Sequence, residues 1–142
     1  MNILVLQGPN LNLIGLRSSK IGEHITLDKI NSSLASNARS SSANIKILQT
    51  AKVSRALSFL HRNRNWAQAI LIAPMGWAPY EYSILEALNL IQIPYIEIVL
   101  DKPYSSVAET SIFSDCCIKT EIGHPESVFI SAFESILKHL NK

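Results

Sequence analysis

The chain has 142 residues, 47% of them hydrophobic, which is enough for one domain with a packed core and too short for two ordinary ones. A formal net charge of +2, from 13 basic and 11 acidic residues, lacks the electrostatic footprint of a dedicated nucleic-acid binder. No apolar run reaches transmembrane length, and the chain enters Ile3-Leu4-Val5-Leu6 without a signal-like segment, so the expected setting is cytoplasmic, away from membranes.

In chain order, short apolar, β-branched runs fall at Asn2–Gln7, Asn44–Gln49, Gln68–Ala73, Tyr95–Leu100 and, weakly, Cys116–Lys119. Between and after them lie helical stretches at Thr26–Ser40, Val53–Asn63, Pro79–Leu90 and Pro125–Leu140. In the last of these, Val128, Phe129, Ala132, Ile136 and Leu140 recur at spacings that make one buried stripe. Strands that read as continuous Ile/Leu/Val runs are buried on both faces, and strand–helix alternation with right-handed crossovers gives a parallel sheet between helices. The expected fold is therefore a single α/β domain over residues 1–142, a flavodoxin-like three-layer sandwich with a five-stranded parallel sheet. Ligands of such sheets bind beyond the carboxyl ends of the strands, which directs attention to the loops Gly8–Glu23, Thr50–Val53, Pro74–Pro79 and Asp101–Tyr104. The serine-rich Asn31–Asn44 reads as a polar helix face running into a turn. Cys116 and Cys117 are adjacent and cannot staple distant parts of the chain, so they are expected as strand residues with no redox or metal role.

The first of those loops begins Gln7-Gly-Pro-Asn-Leu-Asn-Leu-Ile-Gly-Leu-Arg17. Gly8 and Pro9 turn the chain off the strand, and Asn10 and Asn12 bring amide groups to the mouth of the sheet. The segment resembles the signature loop of the type II 3-dehydroquinate dehydratases. Thr26-Leu27, Gln49, Pro74 and Ile93-Pro94 before Glu97 stand at that family's spacing too, and the resemblance runs nearly without gaps from Met1 to Leu100. It implies the same fold, a homo-oligomer (a trimer, or a dodecamer built from trimers) and chemistry without metal or organic cofactor. Family members convert 3-dehydroquinate to 3-dehydroshikimate through an enolate. A lid tyrosinate takes a proton, a nearby arginine lowers that tyrosine's pKa, and a histidine protonates the leaving hydroxyl.

Carried over position by position, the resemblance assigns Asn12 to the asparagine that places an enolate-stabilising water, and Arg17 to the lid arginine. The tyrosine's position holds Gly22 and the histidine's holds Val99, neither of which exchanges a proton. After Gln49, Val53 stands where the family has a glutamate. The third-strand loop of the family offers an asparagine amide, a tyrosine and a hydroxyl-binding histidine where this chain has Ala73, Trp77 and Pro79. Asp101 replaces a serine of the carboxylate cradle and is followed by Lys102. A carboxylate at roughly 4 Å from a bound anion costs on the order of 4 kcal/mol at an effective dielectric of about 20, before screening.

These losses favour a degenerate member with little or no dehydratase activity, repurposed as a binder or scaffold for a small ligand. The alternatives are an active 3-dehydroquinate dehydratase using altered residues and an enzyme for another substrate built around Asn12, Arg17, His24 and Asp101. His24, two residues past Gly22, is the candidate substitute base. His61 reads as a helix-end residue and His124 as a turn residue. The four scattered histidines lack the spacing of a metal site, so no metal is expected. Lys52, Arg55, Arg62 and Arg64, with Trp66 nearby, are best read as a solvated helix face rather than a nucleic-acid surface.

Overall fold

Burial by sequence pattern explains the order of the strands. In the computed structural model, which describes residues 1–105 and 110–142, β1 (Asn2–Gln7), β3 (Ala69–Ala73) and β4 (Tyr95–Leu100) are buried almost throughout. They occupy the middle of a five-stranded sheet of order β2-β1-β3-β4-β5, with β2 (Asn44–Gln49) and β5 (Lys119–Gly123) at its edges. All four pairings are parallel. The expected five-stranded parallel α/β sandwich is thus the observed one.

Alternation along each strand feeds two cores. Ile3, Val5, Leu71, Ile96 and Ile98 face one side, where they meet Phe129 and Phe133 of α5 (Pro125–Leu140) and Leu34 of α2 (Leu27–Ser40). Leu4, Leu6, Ile70, Ile72 and Tyr95 face the other, under Ala56 and Leu60 of α3 (Val53–Asn63) and Ile84 and Leu88 of α4 (Tyr82–Ile91). Local chemistry marks the helix starts. The Thr26 side chain accepts from the Lys29 amide at 3.3 Å, and Pro125 opens α5 behind His124, whose ring accepts from the Glu126 amide.

Three boundaries differ from the sequence-based expectation. The fifth strand begins at Lys119, where its pairing with Ile96 starts, and Cys116 and Cys117 lie in the turn before it, the former exposed. An edge strand tolerates Lys119, Thr120 and Glu121, whereas the more apolar cysteine pair suggested a strand that the ladder does not use. The Gly8–Glu23 segment is not open loop: a 3-10 turn at Leu11–Leu13 runs into α1 (Ile14–Lys20), because Leu11 and Ile14 find buried seats. Pro79 and Tyr80 precede α4, which starts at Tyr82 after a further 3-10 turn at Met75–Trp77.

One carboxylate lies inside the sheet layer. Glu97 on β4 is fully buried, and its oxygens accept from Ser114 Oγ at 2.6 Å, Thr120 Oγ1 at 3.0 Å and Ser111 Oγ. The three hydroxyls replace the water that a carboxylate otherwise keeps. Glu97→Ala, which takes away the carboxylate acceptor of all three, is expected to lower the unfolding free energy by about 2–3 kcal/mol, read from urea denaturation.

Candidate functional site

The carboxyl ends of β1, β3 and β4 open into a cleft of 910 Å³. Its first wall is α1 with the residue that caps it, and Leu13 at the cap and Leu16, Arg17 and Lys20 on the helix follow at spacings of three and four, which puts them on one face. The second wall is the turn after β3, with Pro74, Met75, Ala78 and Pro79. The floor is the end of β4, Ile98 to Lys102, with Tyr104 beyond it.

The two walls are stitched together at Gly8. Its amide donates to the Ala73 carbonyl at 2.9 Å, and its carbonyl accepts from Gln49 Nε2 at 3.1 Å. A Cβ at this position would stand 2.4 Å from the Pro74 carbonyl oxygen and 3.1 Å from Trp77 Cε3. Two residues lining the cleft, Asn10 (φ 71°) and Met75 (φ 54°), hold left-handed backbone conformations. A left-handed conformation is one that glycine adopts without cost and that methionine holds under strain.

Arg17 reaches across the cleft and donates from Nη1 to the Tyr104 carbonyl at 2.9 Å. The Tyr104 phenol is buried and donates to Glu23 Oε1 at 2.5 Å, while Glu23 Oε2 lies 3.1 Å from His124 Nε2. The His124 ring meets Tyr104 edge-on, with centroids 5.5 Å apart. This clasp fastens the segment after α1 to the β4–β5 connection and to the start of α5. The bond from Tyr104, helped by His124, holds the Glu23 carboxyl below its usual value of 4.5, and burial together with that same bond pushes the Tyr104 phenol up.

Glu23 therefore links the clasp to pH. Its folded-state pKa is depressed, so its contribution to stability is present above the unfolded value and is lost as pH falls through the lower folded one. Thermal melts from pH 7 down to pH 3 are expected to show the gap between the native protein and Tyr104→Phe narrowing as pH falls. A gap that stays constant across that range removes this assignment.

Among the residues singled out from sequence, Arg17, Pro79, Val99, Asp101 and Lys102 line the cleft together. Asn12, on the 3-10 turn, is exposed and lies outside the lining, where its neighbour Asn10 stands instead. Ala73 and Trp77 are buried in the cores beneath. Gly22 is exposed with φ 78°, and nothing lies within 4 Å of where its Cβ would be. His24 is exposed, and its carbonyl accepts from Lys29 Nζ at 2.8 Å; the ring is not part of the cleft lining. Among the described residues no group of three or more His, Cys, Asp or Glu side chains could hold a metal ion, and no helix is long and apolar enough to cross a membrane. Sequence reasoning missed the Glu23–Tyr104–His124 contact, which joins three distant segments. Its one visible sign was that Glu23 stands where the family has glycine.

An all-parallel five-stranded sheet of order β2-β1-β3-β4-β5, with a cleft over the carboxyl ends of its central strands, places the chain among the doubly wound α/β proteins. A sequence model of the family described as Dehydroquinase class II matches residues 1–137, and the chain belongs to that family. It is 36% identical over 105 residues to a 3-dehydroquinate dehydratase of Pelotomaculum thermopropionicum, covering 74% of this chain and 73% of that protein. It is 30% identical over 142 residues to a 3-dehydroquinate dehydratase of Clostridium botulinum (strain Loch Maree / Type A3), covering 99% and 97%. The crystal structure of a type II dehydroquinase from Butyrivibrio crossotus superposes with a TM-score of 0.85 at 23% identity, over 96% of this chain and 97% of that one. That last likeness establishes the fold.

Proposed function

We propose that this chain is a cytoplasmic, homo-oligomeric class II dehydroquinase relative that has given up the dehydration of 3-dehydroquinate and keeps its cleft for binding another small molecule. The observation that carries the reading is the chemistry of the cleft wall. Val99 occupies the position of the family's proton donor there, and the only phenol among the described lining residues, Tyr104, is raised in pKa and committed to Glu23. Arg17, which in the family lowers the pKa of the catalytic tyrosine, here donates to a backbone carbonyl.

A second reading, an active dehydratase that uses altered residues, draws on the 30% identity over nearly the whole chain to a protein named for that activity. Incubation with 3-dehydroquinate, followed by ultraviolet absorbance of the enone product, separates the two. Absence of product supports the first reading. Turnover that disappears in Arg17→Ala or His24→Ala establishes the second.

A further inference from the structure

We infer that the cleft takes an organic monocarboxylate with an apolar, ring-sized body, in preference to a hydroxyl-rich one. The inference deepens the reading above and rests on it. Much of the lining is aliphatic: Leu13 and Leu16 on the first wall, Met75 and Pro79 opposite, and Ile98 and Val99 beneath. None of these side chains donates or accepts a hydrogen bond of useful strength, so a ring hydroxyl facing them gives up its water without replacement. Met75 is the most accommodating of the six, since a flexible, polarisable thioether adapts to flat rings.

The charged side chains of the lining carry a sign. Arg17, Lys20 and Lys102 line the cleft against the single carboxylate Asp101 among the described lining residues. The bond from Arg17 Nη1 to the Tyr104 carbonyl holds the guanidinium at the cleft lining. A planar fork held in that way suits a planar carboxylate. Asn10 adds an amide at the same mouth. A volume of 910 Å³ falls in the range of pockets that enclose small organic ligands.

The test uses three probes on the full-length protein by isothermal titration calorimetry. They are naphthalene-2-carboxylate, the uncharged naphthalen-2-ylmethanol with the same rings, and quinate, which carries a carboxylate on a hydroxylated ring. Naphthalene-2-carboxylate is expected to bind at least tenfold more tightly than either of the others. Arg17→Ala and, at an exposed position where misfolding is not at issue, Lys20→Ala should each weaken it several-fold, while Lys138→Ala on the far end of α5 leaves it unchanged. Quinate equal to or tighter than the naphthoate, equal binding of the alcohol, or no naphthoate binding at millimolar concentration overturns the ligand class. Enone formation in the parallel assay overturns the underlying reading instead, whatever the probes do.

Discussion

If the proposed loss of activity holds, the protein is expected to turn over 3-dehydroquinate about 10⁴- to 10⁸-fold more slowly than a dehydratase that has both proton-transfer groups. Each such group supplies about 10²- to 10⁴-fold, and the positions that the sequence resemblance assigns to both hold residues without a titratable side chain, Gly22 and Val99. Val99→His alone restores an acid on the cleft floor but no base, so it is expected to recover at most about 10²- to 10⁴-fold of the loss and to remain well below a dehydratase with both groups. Gly22→Tyr meets no steric obstacle, yet its φ of 78° strains any residue with a Cβ. Tyr104 is no substitute as it stands, because its phenolate forms only above the usual tyrosine range. Should any rate be measured, a pH profile with its acidic limb near neutrality would show that a group other than Tyr104 is the base.

Gly8→Ala is expected to cost on the order of 4 kcal/mol, far more than alanine normally costs in a turn. The intruding methyl would meet the Pro74 carbonyl oxygen at 2.4 Å and carbonyl carbon at 2.9 Å, and backbone atoms cannot rotate away as a side chain can. Relief requires moving the turn after β3, which breaks the 2.9 Å bond from Gly8 to Ala73 and shifts Trp77 in the core. Urea denaturation should show the midpoint fall with little change in slope. Gly76→Ala serves as the control, since its Cβ meets nothing within 4 Å, and it should stay within about 0.5 kcal/mol of the parent protein.

The sheet was legible because its central strands carry uninterrupted apolar runs. Ile3 to Leu6 and Ala69 to Ala73 have no other use than burial on both faces. The edges were harder. β5 spells Lys-Thr-Glu-Ile-Gly, in which one exposed isoleucine and a salt bridge from Lys119 to Glu121 say little about pairing, so the expectation drifted to the cysteines. α1 was hidden for a related reason: Gly15 and two serines depress helix propensity, and the helix depends on Ile14 and on Ser18, whose buried hydroxyl accepts from the Ile25 amide at 2.8 Å. Within the site, Arg17, Val99 and Asp101 could be placed by counting along the motif. The Tyr104 contacts could not, because they bridge residues 81 and 20 positions away and no local pattern encodes such a meeting.

The strand order carries a cost for the chain as it is made. β1 leaves the ribosome before both of its neighbours, which lie far downstream, β2 from Asn44 and β3 from Ala69. Until about half of the polypeptide has been synthesised, the stretch Ile3-Leu4-Val5-Leu6 has no partner on at least one side and exposes its most adhesive surface. Chaperone dependence in vivo, and aggregation of truncated nascent chains ending before Ala73, should therefore trace to these first few residues.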